Sequence, residues 1–167
     1  AISVIGADEI ASIQGPDLTR VLERLPGVTM TRNGGPGSFT GLRVRGAGAE
    51  QVLVLVDGVR VADVAAPGGG FDFGNLMTGA IDRVELLRGS NSIVWGSEAI
   101  GGVVAISTLR ADGVRARAEY GARESYDAQA SGGISNERYA IDIDGGYTRS
   151  DGYSTAATGS EDDGYRQ

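Results

Sequence analysis

The feature that most constrains the fold is a strict alternation of apolar and polar side chains in the C-terminal third of the chain. From Val114 to Tyr120 the even positions are apolar and the odd positions are charged. The stretches 126–134 and 139–148 alternate in the same way. Because successive side chains of a β-strand point to opposite faces, this pattern predicts three strands, each with one apolar and one polar face.

Two kinds of sheet contain such strands. The first is an ordinary antiparallel sheet with one solvated face. The second is a transmembrane β-barrel, whose tilted strands are about 9 to 11 residues long, with tyrosines towards their ends. Since membrane barrels need at least about 8 strands, three cannot close one. The chain is therefore either a fragment of a longer membrane protein or a sheet of the first kind. Residues 150–167 are polar, Gly-rich and acidic, as a long surface loop would be.

Residues 2–108 predict a compact α+β domain. A helix is expected to start at Pro16, where a missing N–H is harmless, and to end before Pro26. Its apolar stripe consists of Leu18, Val21, Leu22 and Leu25. Short strands are expected at 2–5, 28–31, 42–46, 51–56, 59–61, 83–87 and 103–107. The strand 42–46 would carry Arg43 and Arg45 on one face, and the apolar strand 51–56 would be buried on both faces.

Composition excludes several classes of function. The net charge of −7 argues against a nucleic-acid partner, which needs a basic face. His and Cys are absent, which removes the commonest general base and the thiol metal ligands. Asp142 and Asp144 alternate with apolar residues, so they belong to the polar face of a strand, the lumen-facing one if the strand is part of a barrel, and not to a catalytic acid pair. No enzyme activity is predicted, because no nucleophile–base pair stands out.

Several motifs in the N-terminal region occur together and in a fixed order. They are LPGV at 25–28, LRVRG at 42–46, VLVLVDGVRV at 52–61 and IDRVELLRGSNSIVWGSEAIGGVVAIST at 81–108. Together they resemble the plug domain of TonB-dependent outer-membrane receptors. The resemblance implies an α+β plug domain over residues 1–110, built as a small mixed sheet with short helices. It also implies that residues 113–167 form the first three antiparallel strands and an outer loop of a transmembrane β-barrel.

Within that family the likeness is greatest to cobalamin receptors. The shared features are an NGG-containing loop before the Arg-Gly strand, a Gly- and Ala-rich loop after VDGVR, and an outer loop bounded by GY and DGY. The resemblance therefore implies TonB-dependent uptake of a scarce, bulky ligand, with cobalamin as the first expectation. A ferric-siderophore receptor is the alternative within the family. A soluble, plug-like binding module is an alternative outside it.

The resemblance also implies the partners and the location. The rest of a barrel of roughly 22 strands would follow Gln167, in the outer membrane of a Gram-negative bacterium. The inner-membrane protein TonB would pull a short N-terminal box that is expected before Ala1. No cofactor is expected apart from calcium in the outer loop. There, clustered carboxylates suit the loose oxygen coordination of that ion, and the candidate ligands are Glu161, Asp162 and Asp163. The alternative for these acids is a solvated surface loop.

Two further groups of site residues follow from the resemblance. The first comprises the ligand contacts Asn33, Gly34, Gly35, Ser38, Phe39 and Thr40, followed in a second loop by Ala65, Ala66, Pro67 and Gly69. Small residues let backbone groups approach a large ligand, although such loops also serve simply as turns. The second group comprises Arg45 and Arg88, which would hold the plug by pairing with barrel carboxylates, with Glu85 as a local partner. The alternative is a surface ion pair of little energetic weight.

Overall fold

The computed structural model describes residues 2–13, 15, 17–35, 37–63, 69–109, 113–122, 124–136, 138–152 and 164–166. Its strands are β1 (Ile2–Gly6), β2 (Val28–Arg32), β3 (Thr40–Val44), β4 (Val52–Val56), β5 (Val59–Val61), β6 (Ile81–Arg88), β7 (Gly102–Thr108), β8 (Gly113–Gly121), β9 (Ser125–Ser135), β10 (Ala140–Ser150) and β11 (Tyr165–Arg166). Its α-helices are α1 (Ala7–Ser12), α2 (Thr19–Leu22) and α3 (Ser92–Trp95), and 3-10 turns occur at Ala49–Gln51, Thr78–Ala80 and Ser97–Ala99.

The N-terminal region is organised by a mixed sheet of five strands in the order β1-β6-β7-β4-β5. β4 runs parallel to β7, and the other neighbouring strands are antiparallel. The two faces of β4 contribute to different apolar clusters, Val52 and Val54 to the larger one and Leu53 and Leu55 to the smaller. This confirms the prediction that an uninterrupted apolar run forms a strand buried on both faces.

The predicted helical stripe lies in the larger cluster, but the helix is shorter than expected. The side chains of Leu18, Val21 and Leu22 are fully buried, whereas the α-helix covers only Thr19–Leu22. Asp17 Oδ1 accepts a hydrogen bond from Thr19 N at 2.9 Å, and Leu18 N donates to Leu76 O at 3.2 Å. These contacts hold the preceding residues outside the helix. The position of this segment is therefore set by burial of its apolar side chains in the larger cluster, and not by the length of the helix.

The strand predicted at 42–46 is displaced by two residues. β3 spans Thr40–Val44 and pairs with β2 in an antiparallel hairpin. Arg45 lies beyond the strand with φ of 52°, and its N–H donates to Gly27 O at 2.8 Å. Arg43 and Arg45 therefore do not share one strand face, and that prediction was wrong. The reason is the turn after Val44, which is closed by a bond from Ala47 N to Val44 O at 3.0 Å.

The C-terminal strands form a separate antiparallel sheet in the order β11-β10-β9-β8. β8, β9 and β10 contain 9, 11 and 11 residues. Their polar residues Asp127, Gln129 and Thr148 are buried, whereas the apolar Val114 and Ile143 on the opposite face are largely exposed. The buried polar face packs on the plug at Thr78–Ala80. The faces predicted from the alternation are thus present, with the polar one turned inward.

The predicted fold class is confirmed, because a mixed sheet with short helices is followed by long antiparallel strands. β7 ends at Thr108 and β8 begins at Gly113, so the domain boundary proposed near 110–113 falls between them and stays a prediction. None of the helices in the described ranges has the length and hydropathy of a transmembrane helix.

Candidate functional site

The first predicted ligand loop is the tip of the β2–β3 hairpin. Asn33 N donates to Phe39 O at 3.2 Å, and Ser38 N donates to Gly35 O at 3.2 Å, which closes the tip. Asn33 and Gly34 are exposed, while Gly35, Ser38 and Phe39 are half-buried. The exposed amide of Asn33 and the hydroxyl of Ser38 are thus placed where a bound molecule could reach them.

Thr40 differs from the other residues predicted for this loop. Its side chain is 0% exposed, and its hydroxyl donates to Ser38 O at 3.0 Å. Its backbone carbonyl accepts a bond from Phe73 N at 3.0 Å. Thr40 therefore supports the loop from below, and its side chain is not on the surface that a ligand would contact.

The second predicted loop is described only in part. Ala65, Ala66 and Pro67 lie outside the described residues. Gly69 is exposed, and Asp63 N donates to Gly70 O at 2.7 Å across the base of the loop. The chain then returns beside the first loop, where Phe71 and Phe73 pack edge to face with ring centroids 4.9 Å apart. The described ends of the second loop therefore lie on the same side of the plug as the hairpin tip.

A polar network that was not predicted lies beneath the hairpin tip. Arg32 Nε donates to Thr40 Oγ1 at 3.0 Å, and its Nη2 donates to Thr19 Oγ1 at 2.9 Å and to Asp17 Oδ2. The Asp17 side chain is only 11% exposed. The network joins the hairpin to the start of α2. No sequence motif marks it, because its members are ordinary polar residues brought together from separate elements.

The two predicted anchoring arginines meet at one turn of the plug. Arg88 Nη1 donates to Pro26 O at 2.8 Å, and Arg45 packs over Gly27, where an added Cβ would lie 3.3 Å from Arg45 Cγ. Within the described residues Arg88 Nε is buried without an acceptor. A carboxylate brought to this turn would complete the hydrogen bonding of that guanidinium.

Glu85 does not have the position expected of a partner for Arg88. It pairs instead with Arg83, at 3.3 Å between Nε and Oε1. Residues three apart in a strand point to opposite faces, so Glu85 and Arg88 diverge along β6. In the structure the ion-pair partner of Glu85 is therefore Arg83, and an anchoring role for Arg45, Arg88 and Glu85 stays a prediction.

The predicted calcium ligands Glu161, Asp162 and Asp163 lie outside the described residues. Among the residues that are described, no group of three or more acidic side chains is arranged to hold a metal ion.

Comparison with known proteins identifies the family. Residues 1–103 match the family model of the TonB-dependent receptor plug domain. Because that match covers most of the chain, the protein belongs to the TonB-dependent receptor family. The motifs at 25–28, 42–46 and 52–61, together with residues 81–103 of the last motif, are therefore confirmed as those of a plug domain.

Solved receptors share this fold over nearly the whole chain. The ferric enterobactin receptor PfeA of Pseudomonas aeruginosa is 25% identical over 90% of this chain and 25% of its own, with a TM-score of 0.64. The siderophore receptor PirA of the same organism is 26% identical over 99% of this chain and 30% of its own, with a TM-score of 0.64. The ferric yersiniabactin receptor FyuA of Yersinia pestis is 24% identical over 99% of this chain and 27% of its own, with a TM-score of 0.68.

These coverages show that the chain spans about a quarter to a third of the receptors it matches. The matches extend beyond the plug, so strands β8–β10 correspond to the start of the barrel wall in those proteins. The names of these three receptors refer to siderophores, and the comparison does not show the cobalamin specificity expected from the sequence.

Proposed function

We propose that the protein is a TonB-dependent outer-membrane receptor that takes up a scarce, bulky ligand into a Gram-negative bacterium. The observation that carries this proposal is the orientation of β8–β10, whose polar residues Asp127, Gln129 and Thr148 are buried on the plug while the apolar Val114 and Ile143 of the opposite face are exposed. A water-soluble sheet would bury its apolar face. An apolar outer face and a polar inner face are what a barrel wall around a plug requires.

The ligand would bind at the hairpin tip and the adjoining second loop. Asn33 and Ser38 supply polar groups, and Gly34, Gly35 and Gly69 let backbone groups come close to a large molecule. The loops rest on the buried Thr40 and on the Arg32–Asp17 pair, which hold the surface in one shape before binding. Preorganisation of this kind improves affinity because less freedom is lost when the ligand binds.

Two classes of ligand are supported by different observations. Cobalamin is supported by the NGG loop and by the GY and DGY motifs that bound the outer loop. A ferric siderophore is supported by the structural matches to PfeA, PirA and FyuA. In either case TonB would supply the energy for release of the plug, and the complete barrel would supply the remaining loops. Calcium held by Glu161, Asp162 and Asp163 would order the outer loop.

The test is calorimetry of the full-length receptor in detergent, with cyanocobalamin and ferric enterobactin as the two probes. We expect micromolar or tighter binding of one probe, and weaker binding after chelation of calcium if the outer loop holds that ion. Asn33→Ala should weaken binding about tenfold, since a buried hydrogen bond to the ligand is lost. Thr29→Ala, an exposed change lower in β2, is the matched control.

Different results overturn different parts of this proposal. The absence of heat with both probes at micromolar protein would overturn cobalamin and ferric enterobactin as the ligands. A full-length protein that is folded, monomeric and soluble without detergent would overturn the assignment as an outer-membrane receptor and favour the soluble binding module.

A further inference from the structure

Strands β8–β10 are called the wall below, and β8 is the first wall strand. Two charged residues of β8 contact the plug segment that follows α1. Arg117 Nη2 donates to Ile13 O at 3.1 Å, and Gly15 N donates to Glu119 Oε2 at 3.3 Å. Arg117 and Glu119 also pair with each other. Their side chains are only 24% and 26% exposed, so the contacts lie largely out of solvent.

The chemistry of these contacts suits a stable attachment of Ile13 and Gly15 to β8. α1 ends at Ser12, so the carbonyl of Ile13 and the N–H of Gly15 are not used by that helix. The arginine supplies a permanent donor, and the glutamate supplies an acceptor on the same face of β8 because the two residues are two positions apart. Both hydrogen bonds to the plug involve an ionised group and are therefore stronger than bonds between neutral groups.

The seam between plug and wall is hollow on both sides of this contact. On one side lies a cavity of about 680 Å³, lined by Gly15, Asp17, Glu119 and Asp127 among others. On the other side lies a cavity of about 200 Å³, lined by Ala7, Thr78, Arg117 and Gln129 among others. The Arg117–Glu119 pair thus bridges a seam that is otherwise loosely packed at this point.

The bridge stands at the end of the first two elements of the plug. β1 and α1 come before it in the chain, and β1 is an edge strand that pairs only with β6. Ile2 and Val4 of β1 are largely exposed. Ile5 of β1 and Ile10 of α1 belong to the larger apolar cluster, but β1 has a strand neighbour on one side only, and edge elements open locally at lower free energy than central strands.

We propose that Arg117 and Glu119 form a latch, which holds Ile13 and Gly15 on β8 and sets how readily β1 and α1 open locally. The release of these elements by an energised partner rests on the proposed function. The latch itself is a property of the resting protein.

Hydrogen exchange measured by mass spectrometry on the full-length receptor in detergent, without ligand or TonB, tests the latch. In the Arg117→Ala, Glu119→Ala double variant, peptides covering residues 7–22 should exchange about tenfold faster or more, because two charge-assisted bonds are lost. Arg83→Ala removes an ion pair with the same two-residue spacing on β6 and should leave this exchange unchanged. If the double variant does not fold, Arg117→Lys and Glu119→Gln carry the test, each with a smaller increase.

A charge reversal separates a latch from a simple ion pair. Arg117→Glu with Glu119→Arg keeps two opposite charges, but it places an acceptor opposite the Ile13 carbonyl and a donor opposite the Gly15 N–H. We expect exchange to stay fast in that variant. Wild-type exchange in either the reversed or the alanine variant would overturn the latch and leave the proposed function standing. Absent binding of cyanocobalamin and ferric enterobactin would overturn those ligands and leave the latch standing.

Discussion

Asp72 joins the tip of the β2–β3 hairpin to the second predicted ligand loop by accepting a hydrogen bond from the backbone of Thr40. Its Oδ1 accepts hydrogen bonds from Thr40 N at 2.8 Å and from Gly74 N at 2.9 Å. Its Oδ2 accepts a bond from Asn75 Nδ2 at 2.9 Å. One carboxylate therefore fixes the hairpin tip to the end of the second loop, so that both loops form one surface.

Replacing Asp72 by alanine should loosen that surface. The N–H groups of Thr40 and Gly74 would lose their acceptor, at about 1–3 kcal/mol for a buried unsatisfied group. The loops would then have to be ordered by the ligand, so we expect affinity to fall about tenfold in calorimetry of the full-length receptor. Asp72→Asn keeps one carbonyl oxygen and should retain most of the affinity. Equal affinity of the wild type and Asp72→Ala would contradict a shared surface.

The Arg32–Asp17 pair gives a second prediction, on stability. Arg32→Ala leaves the Asp17 carboxylate, which is largely buried, without its cation, and we expect a loss of about 3–5 kcal/mol in the free energy of unfolding of the plug. Asp17→Asn in the same background should recover part of the loss, because no buried charge then remains. Denaturant titration of the single and double variants measures the coupling between them. Strict additivity would show that the two residues do not interact.

The sequence predicted well those features that depend on a local period. The alternation from Val114 to Tyr120 set the two faces of β8, because strand geometry requires it. Asp142 and Asp144 lie on the same face of β10 as the buried Thr148, and both are exposed. The uninterrupted apolar run of β4 likewise predicted a strand buried on both faces, and its residues pack into both apolar clusters.

Features that depend on distant partners could not be predicted in this way. The contacts between Arg117 and Ile13 and between Gly15 and Glu119 join residues 104 positions apart, and nothing in either stretch specifies the other. The positive φ of Arg45 depends on the bond from its N–H to Gly27 O. In the same way, burial of Thr40 follows from the loop that packs over it. The period of apolar residues shows which side chains share a face of a strand, but it does not show which strands, helices and loops pack against each other.

A third prediction concerns Gly146 of β10, where the plug approaches the wall closely. A methyl group at Gly146 would lie 2.6 Å from Met77 Sδ and 3.2 Å from Gln129 Cγ. Overpacking of this kind costs about 1–3 kcal/mol, so Gly146→Ala should increase hydrogen exchange of the plug peptide 76–82. A methyl group at Gly145 meets nothing within 4 Å, which makes Gly145→Ala the matched control. Similar exchange in the two variants would show that the plug does not rest on this strand.

The last prediction tests whether the exposed face of the wall lies in a membrane. Ile143 points outward and is 72% exposed, whereas Asp144 is on the inward face with Thr148. Arginine on the lipid face of a barrel costs about 2–4 kcal/mol near the bilayer midplane. Ile143→Arg should therefore destabilise the full-length receptor by that amount in urea titrations after folding into lipid vesicles, and Asp144→Arg should change stability much less. If the two variants lost equal stability, or if Asp144→Arg lost more, the apolar face would not be facing lipid.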